Sequence, residues 1–293
     1  MVLESRLTPA LERCYLNTLE LTLLIWVGSL LAGFLGALTG LGGGIIITPL
    51  LTLAFGIDIR YAVGATLVSV IATSSGAAAA YVKEGFSNIR IGMFLEIATT
   101  VGAVVGATFA ARLPTTTIAV IFGVVLLYSA YVSSRGPCEP AGDGQPDHLA
   151  RLLRMDSSYP TPDGPKSYHV HAVPAGFGLM FGAGVLSGLL GIGSGALKVI
   201  AMDRAMRLPF KVSTTTSNFM IGVTAAASAG VYLRRGYIDP GLAMPVMLGV
   251  LAGSIIGARV LTGARTRVLR LVFGVVVAVL AVEMIYHGLT GRI

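Results

Sequence analysis

The sequence predicts an all-α polytopic membrane protein of two homologous halves, with helices broken at glycine-rich segments, and three observations carry that prediction. Hydrophobic residues fill 54% of 293 positions, charged residues only 12%, and mean hydropathy is +0.81. A water-soluble fold of that composition has too little polar surface to cover itself. The second observation is a pair of glycine clusters, Gly40-Leu41-Gly42-Gly43-Gly44 and Gly191-Ile192-Gly193-Ser194-Gly195, each set between long apolar runs. Glycine at that density breaks a helix, because it loses the most backbone entropy on ordering and needs no side-chain room. The third is a constant shift of 151 residues, which pairs Gly40 with Gly191, Tyr81 with Tyr232, Gly102 with Gly253 and Gly106 with Gly257. The same shift aligns Phe122-Gly123-Val124-Val125 with Phe273-Gly274-Val275-Val276 without a gap, the mark of an internal repeat.

Residues 1–20 mix Glu4, Arg6, Glu12, Arg13 and Glu20 and lack the basic start and small-residue cleavage site of a signal peptide. They read as an interfacial lead-in that stays on the mature chain. The first membrane repeat is expected over 21–133. It opens with Leu21 to Leu38, 18 apolar residues, near the roughly 20 a helix needs to cross the hydrocarbon core. Gly28, Ala32, Gly36 and Gly40 recur along it at every fourth position, a ridge that admits another helix closely. After the glycine cluster, Ile45 to Phe55 is apolar but too short to cross alone, as in transporter half-helices that line a midplane site. Ala62 to Val82, Ile89 to Ala111 and Thr117 to Val132 follow as further spans, separated by Asp58 to Arg60, Lys83-Glu84-Gly85 and Arg112-Leu113-Pro114.

Residues 134–173 change abruptly to Pro, Gly, Asp, Arg and His and mark a soluble linker. Within it, Tyr159 to Val173 carries Asp163-Gly164 between alternating residues, the pattern of a hairpin or of an irregular loop. The second repeat, 174–288, resumes the apolar runs in the same order, and 289–293 is a tail. The whole amounts to about 8–10 membrane segments. If the two pieces around each glycine cluster enter and leave as a pair, each half crosses an odd number of times and the second half is inverted. That assignment places Lys83, Arg90, Arg135, Arg151, Arg154, Lys166, Arg204, Arg207, Lys211, Arg265 and Arg267 on one side. Arg6, Arg13, Arg60, Arg112, Arg234, Arg235 and Arg292 fall opposite, an asymmetry the positive-inside rule expects with the linker in the cytoplasm.

The net charge of +7 is scattered between apolar runs, so its lysines and arginines read as anchors for an anionic lipid surface and not as a nucleic-acid interface. Cys14 and Cys138 suggest neither a disulfide framework nor a thiolate metal site. His148, His169 and His171 share one linker and read as surface histidines, so no metal is expected. The glycine clusters follow no strand and lack a Lys-Ser/Thr pair, which argues against a nucleotide-phosphate loop, and no cofactor is expected.

Candidate chemistry concentrates after the second cluster. Lys198 falls in the first turn of a half-helix beginning near Gly195, where unpaired amides already favour negative charge. Its bland alternative is a lysine snorkelling to a headgroup. Ser213-Thr214-Thr215-Thr216-Ser217-Asn218 places six hydrogen-bonding side chains in a row, able to coordinate an oxyanion or to glue helices. Thr66 stands opposite Ser217 in the repeat alignment. Glu96, several residues inside the Ile89 to Ala111 run, is a candidate for proton coupling or for a structural pairing with a cation. Substrate-binding candidates are therefore Gly40, Gly42, Gly43, Gly44, Thr66, Gly191, Gly193, Ser194, Gly195, Lys198, Thr216, Ser217 and Asn218. No nucleophile is paired with a base, so no enzyme is expected.

Gly40-Leu41-Gly42-Gly43-Gly44 with Pro49, the duplicate running on through Ala196-Leu197-Lys198-Val199, and Thr216-Ser217-Asn218-Phe219-Met220-Ile221-Gly222-Val223-Thr224-Ala225 resemble the TauE/SafE family. The Tyr159-to-Tyr168 linker is similar to the family's as well. Two departures stand out: Ser194 where the family usually has glycine, and Ile200 where a proline commonly follows Lys-Val. The first adds a hydroxyl to the site and the second bears on the shape of that half-helix. The resemblance implies a multi-pass prokaryotic plasma-membrane carrier that exports a small inorganic or organic anion, sulfite or a small organosulfonate. An anion channel and a non-transporting membrane assembly or sensor protein are the alternatives. The bilayer and the anion are the expected partners, nucleic acid is not, and a homo-oligomer is compatible with the sequence.

Overall fold

The computed structural model describes residues 18–39, 44–83, 87–134, 147–161, 164–261 and 266–291. Gly40, Gly42, Gly43, Cys14 and Cys138 lie outside the described residues. The first membrane helices are α1 (Thr18–Thr39), the short α2 (Gly44–Pro49) running into a π-helical turn (Leu50–Ala54), α3 (Ile59–Lys83), α4 (Ile89–Ala110) and α5 (Thr115–Ser134). A linker follows with α6 (His148–Leu152) and strands β1 (Ser157–Thr161) and β2 (Gly164–Tyr168). The chain continues as α7 (Val173–Leu190), the short α8 (Gly195–Ile200) with a second π-helical turn (Ala201–Ala205), α9 (Phe210–Arg234), α10 (Pro240–Leu261) and α11 (Thr266–Thr290).

Four stretches, Leu19–Gly36, Ile89–Ala110, Val173–Leu190 and Pro240–Gly257, are long and apolar enough to cross a bilayer; Gly44–Ala54, Ile59–Ser74, Thr115–Tyr131 and Gly274–Thr290 are shorter apolar helices. The outer surface is apolar in stripes at helical spacing. Leu23, Val27 and Leu31 on α1, Met93, Ile97 and Val101 on α4, and Val275, Val279 and Val282 on α11 all point outward. In water these stripes would be a liability; against acyl chains they match their solvent.

With lipid outside, helices hold together by close packing more than by a hydrophobic drive, and small residues set the contacts. α1 packs along α10 as α4 packs along α7. A Cβ on Gly102 or Gly106 of α4 would overlap the carbonyl oxygens of Phe181 and Val185, and one on Gly253 of α10 would overlap that of Leu30. The Gly102–Phe181 and Gly253–Leu30 approaches are the same contact displaced by 151 residues at each partner. α3 and α9 lie against each other between these pairs, and α5 packs on α11.

Several element bounds also differ by that shift: α2 and α8, the two π-helical turns, α3 and α9, and α4 and α10. The turns close alike, with Ile57 N donating to Leu51 O at 3.1 Å and Leu208 N to Met202 O at 3.0 Å. Pro49 ends α2, and Ile200 stands at the matching place in α8. Proline lacks an N–H and so removes a helical hydrogen bond to the turn before it. Because Ile200 has that N–H and the same π-helical turn still follows, the widened turn does not depend on proline; the departure at Ile200 leaves the half-helix with the shape of its counterpart.

The linker strands pair antiparallel, with Ser157 opposite Tyr168 and Thr161 opposite Gly164. Ala150, Met155, Tyr168 and Val170 bury against Ile91 and Leu95 of α4 and Met202 and Met206 near the second π-helical turn. Asp147 bridges the ends of this unit, its Oδ1 accepting from Leu149 N and its Oδ2 from Val173 N. The charged connector after α8 is largely helical: Asp203 and Arg204 belong to the π-helical turn and Lys211 to the first turn of α9. Arg207 sits between them at φ +56°.

Candidate functional site

The second glycine cluster turns the chain from α7 into α8 through left-handed residues. Gly191 and Gly193 have φ of +70° and +69°, and Ser194 adopts +47°. A side chain at Gly191 would press on Val63 of α3, and one at Gly193 on Ile221 of α9 and Val70 of α3. Glycine is required there both for the backbone and for the space. In the first cluster, a Cβ on Gly44 would meet Val70 and Thr66 of α3 and come to 3.7 Å from the Ile192 Cα. Gly44, at the start of α2, therefore comes against the second break beside α3.

This turn sets the direction of α8 and puts Lys198 into the interior with 0% exposure. Its Nζ donates to Thr224 Oγ1 at 2.5 Å and stands 3.8 Å from Glu96 Oε2. The Thr224 hydroxyl donates to Glu96 Oε1 at 2.7 Å, and Thr100 Oγ1 donates to the same oxygen at 3.2 Å. Thr224 Oγ1 also lies 3.0 Å from Met220 O, so its single proton has two acceptors within reach. Glu96 Oε2 is buried and has no hydrogen-bond partner among the described residues. A lone charge here would be very costly; the lysine and the carboxylate are tolerated as a pair.

The other predicted residues divide between the two breaks. Thr66 Oγ1 shares a 2.9 Å hydrogen bond with Thr48 Oγ1 of α2 and donates to Ala62 O, on the side of the first break. Ser217 donates to Gly195 O at 3.2 Å, at the start of α8. The Ser194 hydroxyl is buried without a partner among the described residues. Asn218 is half-buried on α9. Thr216 faces the start of α4, its hydroxyl accepting from Asn88 N at 3.0 Å. The Asn88 side chain in turn caps α4 through Ile91 N and donates to Met155 O and to Tyr168 OH, the last at 2.7 Å.

Thr224, Thr100 and Asn88 are the residues that reading the sequence missed. Ser217, Ile221, Thr224 and Ser228 follow at spacings of four, three and four along α9 and make one buried face. That stripe was a legible signal for Thr224. A different face of α8, Leu197 and Ile200, lines an apolar cleft of about 510 Å³ with Tyr128, Leu179 and Gly182. Away from these sites, Arg60 donates through Nη2 to Leu113 O and lies 5.8 Å from the Tyr237 ring centre, while Tyr232 OH donates to Leu189 O.

A family model described as Sulfite exporter TauE/SafE matches residues 25–284. The chain is 26% identical over 268 residues to the probable membrane transporter protein YunE of Bacillus subtilis (strain 168), covering 89% of this chain and 96% of that protein. It is 27% identical over 238 residues to the probable membrane transporter protein YdhB of the same organism, covering 81% and 87%. A probable membrane transporter protein of Xylella fastidiosa (strain 9a5c) is 25% identical over 271 residues, covering 91% and 96%. No solved structure matches the chain.

Proposed function

The chain belongs to the TauE/SafE sulfite exporter family, and on that premise we propose that it is a secondary transporter of a small anion, sulfite or a small organosulfonate. It exports that anion across the cell membrane by alternating exposure of a central site between two inverted halves. One observation carries the reading: Lys198 is wholly buried in a membrane half-helix directly after a glycine break, with a single carboxylate beside it. A cation kept inside a membrane protein at such cost is a reason to expect an anion.

If the two pieces around each glycine break enter and leave as a pair, α1 to α5 and α7 to α11 give each half an odd number of crossings. That count supports inversion. The contacts that exchange under the 151-residue shift, α1 on α10 as the counterpart of α7 on α4, support a two-fold relation between the halves, whichever way its axis lies. In this reading Lys198 attracts the anion, and the backbone amides of Gly44 and of Gly191, Gly193, Ser194 and Gly195 line its path, with Gly40, Gly42 and Gly43 assigned to it from the sequence alone. Thr66, Ser217 and Asn218 add hydroxyl and amide donors, Thr216 being turned to Asn88 instead, and Glu96 carries a proton. The linker, with Arg151, Arg154 and Lys166, lies on the cytoplasmic side. No covalent chemistry is assigned to the chain.

Purified protein in proteoliposomes tests this with a panel of labelled anions that includes sulfite and methanesulfonate. The proposal predicts flux that saturates and counterflow from the opposite side, both cut sharply in Lys198→Met/Glu96→Gln, which removes the buried pair together. Flux without saturation or counterflow would make the protein a channel. No substrate-dependent flux for any anion would point to an assembly or sensor role.

A further inference from the structure

We propose that anion and proton are bound together, the anion taking the place of Glu96 as the counter-ion of Lys198 while Glu96, released from the pair, becomes a neutral acid. The inference rests on the transport reading and adds to it the charge class of the cargo: monovalent.

The geometry gives each group one partner of opposite charge. Lys198 Nζ reaches Thr224 Oγ1 and Glu96 Oε2, and the fully buried Oε2 takes no hydrogen bond among the described residues. Around Glu96 the neighbouring elements offer no substitute. α7 contains no titratable side chain, and Thr224 is the residue that α9 presents to the carboxylate. On α9, Lys211, Tyr232 and Arg234 are eight or more residues from Thr224, roughly 12 Å or farther along the axis. Beyond α8 only Asp203 and Arg204 are charged in the second π-helical turn, and the linker contributes Tyr168 at Asn88, eight residues before Glu96. Arg90, at the start of α4, donates outward to Arg154 O.

Consider an anion arriving at Lys198. The ammonium turns to it, and the carboxylate is left in apolar surroundings with two threonine hydroxyls. Such a carboxylate does not stay charged; it takes a proton from water, and Thr224 passes from donor to acceptor toward the new O–H. The ledger closes: one negative charge enters with the anion, one proton joins Glu96, and the site's net charge is unchanged. A dianion would exceed what Glu96 vacates and would carry current. Hydrogensulfite or a sulfonate fits, and the cycle is electroneutral symport, which runs outward where the anion's own outward gradient exceeds the inward proton gradient.

The test follows ³⁵S-sulfite in proteoliposomes holding wild type or Glu96→Gln, under a proton gradient or a potassium potential set with valinomycin. An acid-outside gradient of about one pH unit should accumulate label about tenfold in wild type. Glu96→Gln should keep sulfite–sulfite exchange but lose that drive, and the titration of sulfite itself cancels in the comparison. Accumulation in Glu96→Gln equal to wild type overturns the inference. If that variant does not fold, wild type alone decides: its uptake must ignore the potassium potential, and uptake that follows the potential overturns the inference. Saturable flux indifferent to the proton gradient removes only the coupling; no flux at all removes the transport reading with it.

Discussion

Lys198 Nζ and Glu96 Oε2 meet 3.8 Å apart in the interior, and the Thr224 hydroxyl is hydrogen-bonded to both side chains. Three helices, α4, α8 and α9, supply one residue each. The pair explains why Lys198 does not snorkel: its stem and charge are satisfied inward, where the glycine break has aimed α8. Net stabilisation from a buried ion pair is small, so the pair is weak as a source of rigidity.

Close packing at glycine makes a direct prediction. Gly106→Ala places a Cβ on the Val185 carbonyl, with backbone on both sides and nothing able to yield. It should destabilise the protein by about 1–3 kcal/mol and split α4 from α7. Gly182→Ala, which meets nothing within 4 Å, is the control and should be neutral. Thermal unfolding in detergent, followed by size-exclusion of the heated sample, compares them.

Ser194 stands at φ +47° with its hydroxyl buried and unpartnered among the described residues. Glycine would relieve the left-handed backbone and remove that hydroxyl. Ser194→Gly is expected to raise stability by about 1–2 kcal/mol. An anion site that uses this hydroxyl predicts weaker sulfite affinity in the same variant, and a variant that is stabler with unchanged affinity would take Ser194 out of the pocket.

Inversion can be read from labelling. In a background without Cys14 and Cys138, Asp58→Cys and Lys211→Cys place thiols at exposed positions just outside and just inside the starts of α3 and α9. A membrane-impermeant maleimide should reach them from opposite faces, with Lys211→Cys cytoplasmic. Labelling from one face would exclude inverted halves.

The linker carries a pH dependence of its own. Burial pushes the Tyr168 phenol above its ordinary value of 10.0, and the hydrogen bonds from Asn88 and Ser157 oppose this more weakly. The folded state therefore holds the neutral phenol: this contribution to docking is complete below about pH 10 and is lost as the pH climbs toward the raised value. Unfolding midpoints of wild type should fall more steeply than those of Tyr168→Phe between about pH 9 and 11. Equal slopes would mean that Tyr168 does not report on docking.

Much of this was legible from residues alone because hydropathy and glycine act locally. The runs around Leu21 to Leu38 and Ile89 to Ala111 predicted α1 and α4 to within a few residues, and the cluster ending at Gly195 located the start of α8. The π-helical turns were not legible: Ile200 and Pro49 give opposite local signals and yet precede the same turn. The partner of Glu96 was also hidden, since Thr224 lies 128 residues away and no local pattern carries a contact of that separation. Thr216 was read with Ser217 because they are adjacent in sequence. On a helix adjacent residues point about 100° apart, and one faces Asn88 while the other faces Gly195.

Lys198→Met alone would leave Glu96 buried without its cation and is expected to cost about 3–5 kcal/mol, so loss of activity in it would be ambiguous. The double variant Lys198→Met/Glu96→Gln removes both charges and should regain most of that stability. Counterflow of ³⁵S-sulfite in proteoliposomes of this folded double variant is therefore the decisive measurement. The account predicts that saturable flux drops by about 10- to 100-fold, the worth of a charge-assisted contact to the anion. Saturable counterflow at the wild-type rate in the double variant would contradict it.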